Sequence, residues 1–591
     1  MEMTKGAVSL RRSEAALFQW NKNIPKTPET VKESGVCSIM KVMKTTLQLQ
    51  SDYSAMENGY QLWIPLDCSI RIPEDDPVRL LNAVAERMDY RAVEAAYSRY
   101  GRIEYSPKIL TKILVYGYMR MIISTRKIEQ ACKENICFMY LLEGQKAPDH
   151  NTISRFRTNV LRQSAAGQEL LKQLIQMLIK AGLVDLKAVF IDGTKIEANA
   201  NKYSFVWKKA QVKNLNKLNE RIKAELPEML KKAEIRFHIG DTVQLRHLKK
   251  LIKKLKAKCK EAGILFVSGK GNHKSILQRV TEKVEDWISK YKQYIADVHI
   301  CGGRNSYSKT DHDATFMHMK EDHMRNSQLK PGYNVNVATS NEFIIGTYIS
   351  ADRSDVQTLI PFMKQLKKTY EGHKIGKVVV DSGYESEENY CWFENDPETE
   401  LFVKPSDHEF RKTKKYRTDI SRRENMAYDP DADTYTCAGG KQIRASYEKH
   451  SKSASGLDLT TTVYECNDCD GCPLKEKCIR ACGSKKPLEE RHKVLYVSKR
   501  FARQREEMEK KITSQEGILL RVNRSIQAEG TFAFAKEDMD FRRFLTRGQE
   551  KVAVEWLLLS MAINILKLHF KIQKGRLGTA LKVPESFPAG L

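Results

Sequence analysis

No unbroken run of about 20 apolar residues occurs in this chain, so no membrane span is expected. The nearest approach, Val552–Phe570, contains Glu555, Asn564 and Lys567 and reads as a buried helix. The first residues carry no apolar segment followed by a small-residue cleavage site, which argues against a secretory signal. Thirteen cysteines, an odd number, in a long chain without such a signal argue against a disulfide framework. There is no P-loop and no GxGxxG, so no nucleotide cofactor is indicated. The histidines show no HExxH or paired spacing. No internal repeat, low-complexity tract or compelling Ser or Tyr nucleophile motif is present.

What the chain has in excess is positive charge. Lys and Arg number 100 against 74 Asp and Glu, a net charge of +26. A surplus of that size is the footprint of a polyanion partner, and nucleic acid is the natural one. The 41% hydrophobic and 29% charged content is that of an ordinary globular protein. At 591 residues one core does not suffice, and three or four domains are expected.

Residues 1–52 show no periodicity and read as a disordered or dispensable tail. Residues 53–165 read as a helical DNA-binding domain. Within it STRKIEQACKEN and APDHNTISRFRTNVL look like a helix-turn-helix, with Ser124 and Asn151 as N-caps. Asn151, Thr152, Arg155 and Arg157 are the residues that pair would present to DNA. A helix follows over 164–183, closed by Gly182. Residues 205–298 form a lysine-rich helical insertion. Gly332–Ser350 reads as a hairpin turning at Ser340-Asn341. Then come a helix over 355–370, a strand ending at Asp381, a helix from about 386 and a strand over 400–405. The pattern breaks over 407–510, where cysteines appear. Helices resume over 515–535 and 549–573, before a tail at 576–591.

Two short apolar runs end in an aspartate: LKAVFID at Asp192 and GKVVVD at Asp381. Each reads as a buried strand followed by a tight turn. An isolated aspartate at a strand end ordinarily caps its turn. Two of them in one α/β unit favour a site, because open sheets bind ligands beyond their strand ends. A third acid, Glu529, lies in a helical tract with Lys536 seven residues later, which predicts a shared face. Arg521, Arg524 and Arg543 surround that acid in sequence. A salt-bridged surface helix is one reading; a carboxylate on a metal, with basic groups on the flanking phosphates, is the other.

These motifs, in this order, resemble the bacterial insertion-sequence transposases of the DDE class. The resemblance rests on VFIDGTKIEA, VVVDSGY, and a Glu with Lys seven residues later and Arg upstream. PDHNTISRFR, DHDATFMHMKEDHMRNSQLKPGYNVNVA and FRRFLTRGQEKVAVEWLLLSMAINILKL add to it. It runs from about residue 53 to 573, and the cysteine-bearing insertion points to the eleven-eighty-two-like group. It implies an α/β fold: an RNase H-like mixed sheet flanked by helices (166–406 and 511–575), with an N-terminal all-α domain and two insertions. It also implies that Asp192, Asp381 and Glu529 hold Mg²⁺ or Mn²⁺, with Lys536 catalytic. One ion would activate water or a DNA 3′-hydroxyl, and the other would stabilise the leaving oxygen. The expected partner is double-stranded DNA, both element terminal repeats and target. A homodimer on DNA, and a place in the bacterial cytoplasm at the nucleoid, are expected too. The alternatives are a catalytically silent DNA-binding derivative and a nuclease that cuts without joining. One departure is that Val522 or Asn523 stands where better-known relatives carry a Tyr, and Arg524 lies five residues before Glu529.

Six cysteines crowd between Cys437 and Cys482. Cys437, Cys469, Cys472 and Cys478 are the expected ligands of a structural zinc ion, leaving Cys466 and Cys482 spare. Free reduced thiols and an iron–sulfur cluster are the alternatives.

Overall fold

A computed structural model describes residues 68–97, 105–163, 166–238, 240, 242–269, 273–319, 328–453, 455–479, 486–578 and 581. The chain divides into two units, Met1–Leu66 and Asp67–Leu591, and every described residue falls in the second. The expected tail over 1–52, Cys482 and most of the tail over 576–591 lie outside the described residues.

The strands of the first half are β1 (Ala188–Glu197), β2 (Phe205–Trp207), β3 (Ser306–Ser308), β4 (Thr315–His318), β5 (Leu329–Ser340), β6 (Phe343–Ser350), β7 (Lys377–Val380) and β8 (Glu400–Val403). Six of them make a mixed sheet in the order β4-β5-β1-β7-β8, with β6 also on β5. β1 runs antiparallel to β5 and parallel to β7, and β7 runs parallel to β8. Val189, Phe190 and Ile191 of β1 and Val378 and Val379 of β7 are fully buried, as expected for strands covered on both faces.

Two boundaries differ from the sequence reading. β1 does not stop at Asp192 but continues to Glu197, because Gly193–Glu197 pair with Gly332–Asn336 of β5. Asp192 is therefore a mid-strand residue. The hairpin turns at Asn341-Glu342 rather than Ser340-Asn341, since Ser340 still pairs with Phe343. Both turn residues have positive φ, 51° and 72°, the left-handed pair a two-residue hairpin requires. Glu342 is held there by its N–H, which donates to Gln527 Oε1 at 3.0 Å.

The helix Gln549–Gln573 is long and apolar enough to cross a membrane by length and composition alone. It is nevertheless a core helix, with Trp556, Leu558, Leu559 and Ile563 fully buried. Its polar residues are satisfied within the protein. Glu555 accepts from the N–H of Leu545 and of Thr546, and Asn564 brackets Ile344 on β6 with two hydrogen bonds.

Helices make up most of the described residues between 68 and 180. They do not form a separate core: Ile113, Leu114, Phe138 and Ile153 belong to one apolar cluster with Val189, Val335 and Leu559. Pro107–Met119 is buried along nearly its whole length. The expected helix-turn-helix needs correction. Between Thr125–Glu134 and His150–Arg155 lies a third helix, Ile136–Leu141, so no short turn joins the two. Asn135 caps that helix by accepting from Cys137 N at 2.9 Å. Asp149, not Asn151, caps His150–Arg155, accepting from Asn151 N at 2.8 Å. Ser124 stands at the N-cap position without a side-chain cap bond.

The lysine-rich insertion is three helices, Lys208–Lys232, Leu245–Glu261 and Ile276–Cys301. They close on their own core of Ile222, Leu248, Leu251, Leu255, Val284 and Trp287. The charge run is thus the outer face of an ordinary amphipathic bundle. The cysteine region holds a second sheet that the sequence reading missed. It comprises β9 (Ala427–Asp429), β10 (Thr434–Thr436), β11 (Gln442–Lys452), β12 (Asp458–Glu465) and β13 (Val494–Val497). They pair antiparallel in the order β13-β12-β11-β10-β9. Ile443 is the one buried residue along β11, so the alternation that marks a half-buried strand is absent. The next helix starts at Lys499, so about three of its turns lie within what reads as irregular chain.

Candidate active site

β1 and β7 are neighbouring parallel strands whose last paired residues are Phe190 and Val379. Two residues further along each chain stand Asp192 and Asp381, so the register brings the two carboxylates to the same level of the sheet. Each also makes a local bond. Asp192 Oδ1 accepts from Gly193 N at 2.9 Å, and Asp381 Oδ1 accepts from Gly383 N at 2.8 Å. The turn-capping reading of Asp381 is therefore realised, and that cap leaves the carboxylate level with Asp192.

The third acid arrives on a helical run from Gln515 to Asp538. That run is α-helical over Gln515–Arg524, widens to a π turn over Ser525–Glu529, and widens again over Phe534–Asp538. Such π turns are rare and concentrate at functional positions. They alter the geometry expected from a seven-residue spacing. The Glu529 side chain is 51% exposed, whereas Lys536 is buried, its Nζ donating to Thr194 Oγ1 at 2.6 Å. Thr194 lies two residues beyond Asp192, on the same face of β1. Glu529 and Lys536 thus meet β1 by different routes.

Arg524 links two of the acids, Asp192 and Glu529. Its Nη2 donates to Glu529 Oε1 at 2.6 Å and its Nη1 lies 3.7 Å from Asp192 Oδ2. Ser525 Oγ donates to the other Glu529 oxygen at 2.8 Å. Burial pushes the Asp192 carboxyl up to about 6. The Arg524 charge and the Gly193 N–H oppose the rise, and the neighbouring charges of Asp381 and Glu529 add to it. Desolvation and neighbouring like charges both disfavour the ionised carboxylate, and a cation close by would favour it.

The donors are hard carboxylate oxygens, the chemistry that suits Mg²⁺ or Mn²⁺. Among the described residues no group of three or more His, Cys, Asp or Glu closes to metal-holding distances. Glu529 is turned toward Arg524 and Ser525 instead. The acids also lie away from a cavity of ≈ 770 Å³ between Arg162, β6 and the start of Gln549–Gln573, whose lining includes none of them.

The expected DNA contacts fall into two groups. Asn151 and Arg155 are exposed, and Thr152 Oγ1 donates to Asp149 Oδ2 at 2.6 Å. Arg543 is exposed, with Nη2 donating to Ala200 O at 3.2 Å. Arg521 is half-buried, and its buried Nε has no hydrogen-bond partner among the described residues. Arg157 is a correction: it is 6% exposed, and its Nη1 donates to Ile123 O at 2.8 Å. A guanidinium spent on an interior carbonyl is not on the surface that meets a phosphate.

Two residues near the acids were missed. Tyr384 is fully buried and its hydroxyl donates to Asn336 Oδ1 at 2.6 Å. Asp355 receives Asn334 Nδ2 at 2.6 Å. Tyr384 follows Asp381 by three residues, a signal within VVVDSGY. Asp355, just before a helix, carries no signal beyond that of a helix start.

Two family descriptions match. A transposase DDE domain covers residues 436–569, and a transposase domain (DUF772) covers 66–159. The chain is an insertion-sequence DDE transposase. The first match contains Glu529, Lys536 and the cysteines; the second contains the helices that share a core with the sheet. No curated protein and no solved structure matches the chain. The transposase's mixed α/β architecture is compatible with a DDE fold.

In the cysteine region of the transposase, Cys437 and Cys472 face the same glycine. A Cβ on Gly439 would stand 3.6 Å from Cys472 Sγ and 3.7 Å from Cys437 Sγ. Burial raises the Cys478 thiol. Lys493 opposes that rise, and Cys437, Cys469 and Cys472 add to it, but among the described residues the cysteines, like the acids, form no group that closes to metal-holding distances. Cys466 is buried too, pushed up to about 11 by burial and by Cys469.

Proposed function

We propose that the transposase cuts the ends of its element and joins them to target DNA by phosphodiester hydrolysis and transesterification on an RNase H-like core. The observation that carries this is the convergence of Asp192 and Asp381 on adjacent parallel strands with Glu529 linked to Asp192 through Arg524. The sheet order supports the RNase H-like reading: two antiparallel strands, then β1, then two strands parallel to it.

Asp192, Asp381 and Glu529 are the residues that would hold divalent ions. Such ions, when bound, activate the attacking oxygen and neutralise the leaving one. Arg524 acts as a stand-in cation, holding Glu529 beside Asp192 until it is released toward a phosphate. Lys536, buried against Thr194, supplies a fixed positive charge at the same edge of β1. Arg521, Arg524 and Arg543 flank the DNA backbone there, and Asn151, Thr152 and Arg155 contact the element end. Cys437, Cys469, Cys472 and Cys478 hold a structural zinc ion that ties the second sheet, and the region supports a place in the eleven-eighty-two-like group. An element has two ends, and a homodimer with one site per chain serves both. The site of action is the bacterial nucleoid.

The test is to incubate the full chain with element-end duplex, a supercoiled target plasmid and Mg²⁺. Ends cut and joined to the plasmid are expected, and chelation should stop both. Binding without cleavage would favour a silent DNA-binding derivative, and cleavage without joining a nuclease.

A further inference from the structure

Asp355 lies between β6 and the helix Leu359–Thr369, far in sequence from all three acids. Its carboxylate nevertheless sits over the residues that follow both aspartates. A Cβ on Gly193, next to Asp192, would stand 2.8 Å from Asp355 Oδ1 and 2.9 Å from the Tyr384 hydroxyl. One on Gly383, in the turn after Asp381, would stand 3.4 Å from Asp355 Oδ2 and 3.0 Å from Asp381 Oδ1. Gly193 therefore needs glycine for close approach and not for an unusual backbone, whereas Gly383 meets Asp355 at ordinary contact distance.

The carboxylate is fixed from below. Asn334 Nδ2 donates to Oδ1 at 2.6 Å. The Thr358 hydroxyl lies 2.8 Å from both the Asp355 carbonyl and Asn336 Oδ1 and shares its one proton between these two acceptors. Tyr384 reaches the same Asn336 oxygen, and Asn336 pairs with Gly193 across the β1–β5 ladder. Tyr384, Asp355 and the two aspartates thus share one wall. The buried Tyr384 phenol is raised first by desolvation, then by Asp355, Asp192 and Asp381 together, with Arg524 opposing.

We propose that Asp355 is a positioning residue of the active site. Packed tightly over Gly193 and in contact range of Gly383, it sets the spacing of Asp192 and Asp381, and its charge adds to the pair's attraction for a divalent ion. This rests on the metal-dependent reading above. A carboxylate kept solely to start a helix would show none of these approaches to the two glycines.

The experiment compares the full-length protein with Asp355→Asn, which keeps the shape and removes the charge. Cleavage of element-end DNA is titrated with Mg²⁺, and the melting temperature is measured with and without Mn²⁺. The Mg²⁺ concentration for half-maximal cleavage should rise about tenfold, the size seen when groups supporting metal ligands are removed. The Mn²⁺-induced rise in melting temperature should shrink. The metal-free melting temperature should stay or increase, since a like charge has left the pair. A variant with unchanged Mg²⁺ dependence and an unchanged Mn²⁺ shift overturns the proposal, and so does one that merely melts lower without metal. If Asp355→Asn does not fold, Asp355→Glu replaces it: ion dependence near wild type with lower turnover is expected, and unchanged turnover overturns the proposal. Asp192→Ala is the control. If it also keeps the full Mn²⁺ shift, the metal-dependent reading itself fails; if it loses the shift while Asp355→Asn does not, the role of Asp355 alone fails.

Discussion

Asp192 in the sheet and Glu86 in the helical layer are both carboxylates with a cation in reach, yet their surroundings push in opposite directions. At Glu86 the Lys112 ammonium, wholly buried, donates to it and to Glu143, with Lys108 Nζ at 3.0 Å from the second Glu86 oxygen. The Lys112 bond leads, and Glu86 is pulled down to about 2. At Asp192 burial leads, two more acids stand close, and one guanidinium at 3.7 Å does not compensate. The first arrangement is complete in itself, a buried cation satisfied by two anions. The second gathers acids around one guanidinium and leaves Asp192 raised, the imbalance expected of the site proposed above.

The sharpest way to break this comparison is to remove the acids. Asp192→Ala, Asp381→Ala or Glu529→Gln should each cut element-end cleavage by about a thousandfold or more, since a metal in such a site contributes several kcal/mol. DNA binding should survive in a gel-shift assay. Glu86→Gln should lower the melting temperature and leave the cleavage rate of folded protein near wild type. Substantial cleavage by any of the first three would remove that residue from the site.

A second test targets the π turn. Deleting Ile526, which is 38% exposed, should let Ser525–Glu529 revert to α-helix and rotate Glu529 away from Arg524 and Asp192. A misplacement of about 1 Å near a reacting centre costs on the order of a hundredfold, so cleavage should fall at least that far while circular dichroism stays native. Cleavage at the wild-type rate would show that the wide turn is incidental.

The fold was legible where apolar pattern and backbone pairing coincide. β7, Gln549–Gln573 and the hairpin strands fall within a few residues of their expected places. Legibility failed where a partner strand, not the side chains, defines the element. β1 reads as ending at Asp192 because Gly193, Thr194 and Lys195 are polar, but β5 carries the ladder to Glu197. β11 shows one buried residue in eleven and gives period-2 analysis nothing to find. In the site, the two aspartates and Glu529 are visible as local patterns. The π turns are not, since no periodicity marks an extra residue in a turn. Nor is Asp355, which reaches the site through the packing of a distant loop. Arg157 shows the opposite error: in NTISRFRTNV it matches Arg155 in type and differs in being turned to Ile123.

The cysteine region extends the comparison to thiols. The zinc reading predicts about one zinc ion per chain on purification. Cys469→Ser with Cys472→Ser, or strong chelation, should open residues 407–510 to protease. Metal-free protein with that region still protected would leave the thiols as small buried apolar groups.

Arg155 and Arg157 give a finer contrast. Arg157→Ala should destabilise the protein by about 1–3 kcal/mol, because Ile123 O loses a charged donor in the interior. Arg155→Ala should leave stability nearly unchanged, weaken DNA binding, and lower the slope of log K against log salt by about 1. If Arg157→Ala is thermally silent and loses DNA affinity, the interior role assigned to it is wrong.

The smallest expected effect concerns acid. Glu86 has a folded pKa of about 2 against an ordinary value of 4.5. A depressed carboxyl pKa means that the folded state holds the proton less tightly than the unfolded one. Its contribution to stability is therefore complete above pH 4.5, declines as the pH falls through the interval between 4.5 and 2, and is gone below it. Glu86 is partly exposed, so solvent screens the pair and the contribution is modest. Melting curves of wild type and Glu86→Gln should differ by a constant amount at pH 6 and above, and converge as the pH is lowered toward 3. The convergence follows because protonated Glu86 and glutamine leave Lys112 with the same loss. Glu143 still faces Lys112 in both proteins, so neither should unfold outright at that step. A difference that stays constant down to pH 3 would mean that Glu86 carries no ionic share of the tie, and the contrast with Asp192 would lose its structural half.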